Sequence, residues 1–347
     1  MKTVFVAMSG GVDSSVTAAL LKKQGFDVTG VHIKCFNVDG CGEKDVEDAR
    51  RIAEQLNIPF YVFDLEKEYK ERVVSYMVEG YRKGITPNPD VMCNKEIKFG
   101  LFFDKAIKLG ADFVATGHYV KIKTLKNVAK LYEAKDKNKD QSYFLWTLTQ
   151  KQLKRCLFPM GNYKKSEIRR LAKKLGLLTA EKKDSQGICF LGKVTIKDFL
   201  KKYIPTKKGA ILSATGKVMG EHDGSYFYTI GQRRGLSISG SKNPLYIAGK
   251  NSKSNTITVV EGKENPALYK KEIIIDNVNF IGLPDNKLVQ VFARVRYRQP
   301  LAKANLYKLT AKKYKLIFIR PQKFIAPGQS AVFYGKNREL LGGGVIC

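Results

Sequence analysis

Ser9-Gly10-Gly11-Val12-Asp13-Ser14-Ser15 sets the fold of this chain. It follows the apolar run Val4-Phe5-Val6-Ala7-Met8 and opens a helical segment, Ser14–Gln24, that Gly25 ends. Two adjacent glycines let the backbone turn tightly at the end of a strand and present several N–H groups to one point. The serine hydroxyls add donors, and the first turn of the new helix carries partial positive charge, so the stretch suits a phosphate. Asp13, an anion, is of no use as a direct phosphate ligand; its useful role is to hold a magnesium ion that bridges phosphate oxygens. The stretch is neither GxxxxGK[ST] nor GxGxxG, which excludes a Walker loop and a dinucleotide fingerprint.

Outward from this loop, short apolar runs alternate with amphipathic segments. Lys2–Met8, Asp27–Lys34, Phe60–Asp64 and Asp112–Thr116 read as strands. Between and after them, Asp45–Leu56, Glu66–Glu79, Asn94–Leu109, Lys164–Leu175 and Thr195–Tyr203 read as helices. Apolar strands in that alternation predict an α/β fold, a doubly wound parallel sheet covered on both faces. From Gly209 the pattern becomes all-β. Tyr226–Ile230, Leu245–Ala248, Thr256–Val260, Leu288–Arg298, Tyr314–Phe318 and Ser330–Tyr334 are short, β-branched or aromatic, and separated by turn residues. The expected organisation is an α/β domain over 1–205, a small central β domain over 206–272 and a C-terminal β-barrel over 273–347.

The charge points to a polyanion. Lys plus Arg is 62 against 32 Asp plus Glu, a net +30 in 347 residues. Between Lys121 and Lys202 there are 22 basic and 7 acidic residues, so half of the excess sits where the α/β half meets the β half. No apolar run reaches the roughly 18 residues a membrane span needs, and the N-terminal apolar run is too short for a secretory signal. The expected location is cytoplasmic, with no membrane partner. Six scattered cysteines without a CxxC pair fit neither a disulfide framework nor a zinc site.

Two of those cysteines stand out. Thr86-Pro87-Asn88-Pro89-Asp90-Val91-Met92-Cys93-Asn94-Lys95 is a loop stiffened by two prolines and followed by a helix start. Cys93 is expected in or beside the first turn, where the helix dipole and Lys95 favour the thiolate. Asp90, three residues earlier, could handle a proton. Asp184-Ser185-Gln186-Gly187-Ile188-Cys189-Phe190 carries a second thiol in a polar loop behind Lys182-Lys183. Sulfur delivery to an activated carbonyl carbon needs such a pair. A persulfide on one cysteine attacks the carbon, and the other cysteine resolves the linkage as a disulfide.

SGGVDSS resembles the PP-loop of the ATP pyrophosphatases, which cleave ATP between the α- and β-phosphates and transfer AMP to an acceptor oxygen. With TPNPDVMCNKEIKF, ATGHY, KDQSYFL, LFPMGNYKKSEIRRLA, AEKKDSQGICF, GEHDGSYFYTIGQRRGL, RYRQ and APGQSAVFY, the chain resembles the tRNA-specific 2-thiouridylase family almost end to end. The resemblance implies ATP-dependent replacement of the 2-oxygen of the wobble uridine in tRNAs for Lys, Glu and Gln by sulfur. ATP and Mg2+ serve as cofactors, and a sulfur donor protein, a cysteine desulfurase or a relay protein, supplies the sulfur. By motif match, Cys93 takes the nucleophile position and Cys189 the persulfide position, with a Cys93–Cys189 disulfide as the alternate state. Ala7, Met8, Ser9, Gly10, Gly11, Val12, Asp13 and Ser14 match the ATP loop. Ile33 stands where the family often has a methionine on the adenine, and Gly117 lies in a second ATP-contacting loop. Asn88, Pro89 and Asp90 match the segment around the target base. Lys139, Asp140 and Gln141 match a tRNA-contacting loop, as do His118, Arg296, Tyr297 and Gln329. The chain ends GGGVI where the family usually has GGGWI, and the loop around Cys35 and Cys41 is divergent. A monomer is the expected state.

Other residues carry expectations of their own. His118 follows the carboxyl end of a parallel strand, where such sheets place ligands. Cys156 falls in a stretch that reads as helical, Leu153–Leu157. Arg294, Arg296 and Arg298 would share one face of a strand, which suits a surface tracking a nucleic-acid backbone. A ligase for a small metabolite would need neither +30 nor paired thiols, and an RNA-binding protein with a vestigial loop would not need Asp13 or Cys189. An iron–sulfur thiolation enzyme would need three clustered cysteines, which the sequence lacks.

Overall fold

The computed structural model describes residues 1–38, 42–184, 190–192, 194–236, 238, 241, 243–281 and 288–347. Among the described residues, seven strands fall in the first half: β1 (Thr3–Ala7), β2 (Asp27–Lys34), β3 (Phe60–Asp64), β4 (Phe113–Ala115), β5 (Val120–Leu125), β6 (Val128–Glu133) and β7 (Cys156–Leu157). Five of them form one sheet in the order β3-β2-β1-β4-β7, with every neighbouring pair parallel. One face packs Phe5, Val31, Phe63 and Val114 with apolar residues of the helices at 66–82 and 89–108. The other packs Val4, Val6, Val28 and Ala115 with the helices Val12–Lys23, Gly42–Gln55 and Lys165–Lys174. Burial on both faces is why these strands read as continuous apolar runs.

The second half contains β8 (Gly209–Leu212), β9 (Val218–His222), β10 (Leu245–Asn251) and β11 (Thr256–Glu261), a four-stranded sheet in the order β10-β11-β8-β9. It is followed by β12 (Tyr269–Phe280), β13 (Leu288–Arg294), β14 (Ala302–Lys308), β15 (Tyr314–Lys323), β16 (Ser330–Tyr334) and β17 (Glu339–Ile346). These six run β12-β15-β14-β13-β16-β17 and close into a barrel through the β12–β17 pair. No helix among the described residues is long and apolar enough to cross a membrane.

Three local expectations fail, and one hairpin has no counterpart among the strands expected from sequence. The lysine-rich stretch after Tyr119 is the β5–β6 hairpin, turned by Lys126 and Asn127 at φ +48° and +63°, as a tight primed turn requires. Cys156 lies in the two-residue strand β7 rather than in a helix; burial pushes its thiol pKa up. Tyr226–Ile230 is no strand: a single 3-10 turn, Ser225–Phe227, occupies its start. The three arginines do not share a strand face, because β13 stops at Arg294.

Arg294 instead sits at the seam between the halves. β6 pairs with the start of β17 through Leu131↔Leu340 and Tyr132↔Glu339, so the hairpin extends the barrel sheet into the α/β half. Under that junction, the Arg294 guanidinium donates to the Glu133 carboxylate, lies 3.8 Å from Asp140 and covers the Tyr334 ring at 4.9 Å. The side chains of Arg294, Glu133 and Asp140 are 8%, 4% and 2% exposed, so water cannot take the arginine's place. Arg294→Met would leave buried Asp140 without its cation and Glu133 with only Lys137 at 3.1 Å and Arg338 at 3.9 Å, and urea unfolding should register a loss of about 3–5 kcal/mol. A loss below about 1 kcal/mol would show that the carboxylates do not depend on it.

Candidate active site

The turn after β1 is built to hold an anion. Gly10 has φ +69°, and a Cβ there would stand 2.4 Å from the Asp45 carbonyl oxygen at the start of the next helix. Gly11, in extended conformation, is the N-cap of Val12–Lys23 and has no side chain to cap it, and no side-chain bond to its first N–H groups is seen among the described residues. The nearby hydroxyls turn to the backbone instead: Ser14 Oγ and Ser15 Oγ donate to the Gly11 carbonyl at 3.0 and 2.9 Å, and Ser9 N–H donates to Ser14 Oγ at 3.2 Å. The helix N-terminus is thereby left to a ligand. Gly117 presses on it from the loop after β4, where a Cβ would stand 3.0 Å from Ser14 N and 3.1 Å from Asp13 Cβ. His32 steadies the entrance, its Nδ1 3.0 Å from the Met8 carbonyl oxygen. Ile33, on β2, is half-buried beside Phe63 of β3. The donor set fits a polyphosphate.

Charges gather around Asp13. Lys165 Nζ lies 2.7 and 2.8 Å from its two carboxylate oxygens, and Tyr119 Oη donates to Oδ1 at 2.7 Å. Burial and the Asp13 charge raise the Tyr119 pKa, so this hydroxyl keeps its proton. Lys165 Nζ is also 2.8 Å from Asp184, which binds Lys139 at 2.6 Å and Arg169 at 2.7 Å. Burial alone would raise the Asp184 pKa, but the bonds from Lys139 and Lys165 prevail and bring it down to about 2. Lys182 joins the same wall through Asp45 at 2.7 Å and Asp48 at 2.6 Å. Asp13 is the carboxylate a magnesium ion would use, with Lys165 the cation that now neutralises it.

Cys93 lies deeper than its sequence position suggested. Asn88 is the N-cap, its Oδ1 accepting from Val91 N–H at 3.2 Å, and Pro89 is the first helical residue. The helix runs through Pro89–Met92 into the wide π-helical stretch Cys93–Phe102 and on to Phe103–Lys108. Cys93 therefore begins the second turn, 4% exposed, while Lys95 pairs with Glu96 at 3.0 Å. Cys189 lies outside the described residues, as does Cys41. Its described neighbours are held on different surfaces: Asp184 on the lysine–arginine cluster, and Phe190 among Tyr69, Phe36 and Phe199 with ring centroids 5.7, 6.2 and 5.4 Å away.

Known families match the whole arrangement. A tRNA methyl transferase HUP domain covers residues 2–193, a tRNA methyl transferase PRC-barrel domain 197–261 and an aminomethyltransferase beta-barrel domain 270–346. The tRNA-specific 2-thiouridylase MnmA of Halalkalibacterium halodurans is 46% identical over 351 residues, and that of Streptococcus thermophilus 45% over 356. Each alignment covers 99% of this chain and 94% of the relative. The chain belongs to the tRNA-specific 2-thiouridylase family. Its parallel sheet, four-stranded sheet and closed barrel fall in the three matched segments in turn.

The residues matched to RNA contacts in this thiouridylase differ in what they face. Lys139 is half-buried on Asp184. Asp140 points inward, accepting from Ala134 N–H at 2.9 Å and Ser142 Oγ at 2.9 Å, and burial raises its pKa. Gln141 Oε1 accepts from Tyr119 N–H at 3.0 Å. His118 is buried, with Nδ1 2.7 Å from Thr116 Oγ1; burial, then the Lys98 charge, keep its pKa well below the ordinary range, so it is neutral. Arg296 donates to the Ile230 carbonyl and Tyr297 packs on Phe144 at 4.5 Å. Gln329 Nε2 donates to the Thr86 and Pro87 carbonyls at 2.9 and 3.1 Å. Lys165, Tyr119 and Asp184 were not singled out from sequence. Lys165 opens an amphipathic helix in GNYKKSEIRRLA, at the end where a lysine is least expected for the helix dipole, and that was the available signal.

The Asp184 cluster has a pH signature. Because the folded pKa is about 2 against an ordinary 3.8, its contribution to stability is complete above about pH 4 and disappears as pH falls through 2. The urea midpoint of Asp184→Asn should lie below wild type at pH 5, and the gap should close between pH 4 and 2. A gap that stays constant over that range would show that Asp184 is not held ionised by its neighbours.

Proposed function

We propose that the chain is a tRNA-uridine 2-sulfurtransferase. It would replace the 2-oxygen of the wobble uridine in tRNAs for Lys, Glu and Gln by sulfur, with AMP and pyrophosphate as the other products. The observation that carries this is the helix N-terminus behind Gly10-Gly11, whose cap residue Gly11 offers no side chain to its N–H groups, in a chain 46% identical over 99% of its length to a protein named as a 2-thiouridylase. Ala7 to Ser14, Ile33 and Gly117 hold ATP, and Asp13 holds its Mg2+. ATP supplies the AMP that turns the uridine 2-oxygen into a leaving group. Asn88, Pro89 and Asp90 surround the base. His118, Lys139, Asp140, Gln141, Arg296 and Tyr297 serve the RNA side, Asp140 by holding its loop from within, whereas Gln329 reaches it only through the Thr86 and Pro87 carbonyls that it binds.

Sulfur arrives from a donor protein as a persulfide on Cys189. Its terminal sulfur attacks the activated C2, and AMP departs with the former 2-oxygen. The Cys93 thiolate, its proton passed to Asp90, then attacks Cys189 Sγ. The sulfur on the base leaves with the electron pair, which yields 2-thiouridine and a Cys93–Cys189 disulfide. A thiol reductant must open that disulfide before the next turnover. The enzyme acts as a monomer on one tRNA.

Three measurements test this. Asp13→Ala should abolish tRNA-dependent pyrophosphate release while tRNA binding stays within about twofold; release at the wild-type rate would remove Asp13 from the nucleotide site. Affinity for tRNA should fall steeply with salt, with a log–log slope of about −0.7 to −0.9 per neutralised phosphate; a flat dependence would mean the +30 does not serve RNA. With a labelled donor, Cys189→Ser should carry no persulfide, whereas Cys93→Ser should accept label and fail to finish the reaction. Label on Cys93 alone, or thiolation by Cys189→Ser, would reverse the roles.

A further inference from the structure

Thr86 precedes the helix that carries Cys93, and all three parts of the molecule hold it. Its N–H donates to the Pro327 carbonyl at 2.7 Å, its own carbonyl accepts from the Gln329 amide at 2.9 Å, and its hydroxyl lies 3.2 Å from that of Thr229. Pro327 and Gln329 come from the barrel segment, between β15 and β16, and Thr229 from the central β module. The approach is tight: a Cβ on Gly328 would stand 2.9 Å from the Thr86 backbone. On the inner side Pro87 fills the space over Gly80, where a Cβ would stand 2.7 Å from its Cγ. Little slack separates this anchor from the thiol. Pro87 and Pro89 restrict φ, Asn88 caps the helix, and Cys93 is already in its second turn.

We propose that Gln329 is a positioning residue for Cys93. Its amide, with the Thr229 hydroxyl, clamps Thr86-Pro87 and so sets the depth of the helix carrying the thiol, which makes both β parts conditions for presenting it. The role assigned to the thiol rests on the proposed thiolation chemistry; the clamp does not. The Gln329 amide nitrogen donates to both carbonyls, so the donor end of this side chain is engaged within the protein.

The test is the rate at which iodoacetamide labels each cysteine in the full chain without tRNA, read by peptide mass spectrometry. Gln329→Glu keeps the size but sets a carboxylate against two carbonyl oxygens. Cys93, buried in the wild type, should label about tenfold faster, as expected when two local hydrogen bonds are lost. Cys156, buried in β7, should stay slow and exposed Cys347 should be unchanged. Thr229→Val should act in the same direction with a smaller effect. tRNA affinity should stay within about twofold, while single-turnover thiolation at saturating tRNA and ATP falls. Unchanged Cys93 labelling in Gln329→Glu overturns the proposal, and if affinity is lost at the same time Gln329 is an RNA contact. If Cys156 rises in step with Cys93, the fold has loosened as a whole, and Thr229→Val decides by the same readout. Faster labelling of Cys93 in a protein whose wild type thiolates no tRNA would leave the clamp standing and remove the thiolation reading.

Discussion

A β-strand has two edges, yet three strands pair with β17. β16 takes one edge along its length. The other is divided: Glu339 and Leu340 pair with β6, and Gly342 to Ile346 pair with β12. The change of partner is possible because of the glycines there. A Cβ on Gly342, at φ +153°, would stand 2.1 Å from the Asn279 carbonyl oxygen, and one on Gly343 would stand 2.6 Å from Trp146. Trp146 in turn donates to Ser330 Oγ at 3.0 Å, and Asn279 donates to the Trp146 carbonyl at 2.7 Å. One strand thereby closes the barrel and fixes it to the α/β half. The valine after the glycine run is compatible with this, since the contacts made here belong to the glycines.

The net charge of +30 hides an uneven arrangement of acids. Asp13, Asp45, Asp48 and Asp184 are engaged by Lys165, Lys182, Lys139 and Arg169 around the nucleotide turn. Glu133 and Asp140 are buried on Arg294. Lys270, Lys271, Lys303, Lys312, Lys313 and Arg320, by contrast, are exposed on the barrel. Acids placed in internal pairs repel a polyanion less than acids spread over the surface, because a nearby cation cancels their field at distance. The same pairs leave the phosphate turn with cations at hand.

The parallel sheet was legible because buried strands and amphipathic helices have separate periods, and the turn at Gly10-Gly11 was legible because its chemistry is local. The hairpin at 120–133 was not. Its outward lysines mask the alternation of Val120 and Ile122, and its partner strand β17 is far away in sequence. The helix that carries Cys93 starts at Pro89, five residues before the start expected at Asn94, although Asn88 before Pro89 is a strong cap signal. The arginines at 294, 296 and 298 alternate as a strand would, but the chain bends after 294; Arg298, at φ +63°, belongs to the turn. Side chains that act across domains, such as Gln329 on Thr86, have no local signature at all.

The end of β4 shows why such a site forms where it does. In the order β3-β2-β1-β4-β7 the connections diverge between β1 and β4, which opens a crevice at the carboxyl ends of those two strands. Four consecutive residues use it. Thr116 holds His118, and Gly117 lets the loop settle on the turn after β1. His118, neutral and buried, lies 5.8 Å from the ring of Phe99 on the Cys93 helix. Tyr119 gives its hydroxyl to Asp13 and its backbone N–H to Gln141. The phosphate turn, the thiol helix and the 139–141 loop are thus tied to one short segment by contacts that add no charge. A charged link would compete with polyphosphate and RNA for the same lysines; an uncharged one holds the three in register and leaves the electrostatics to the ligands.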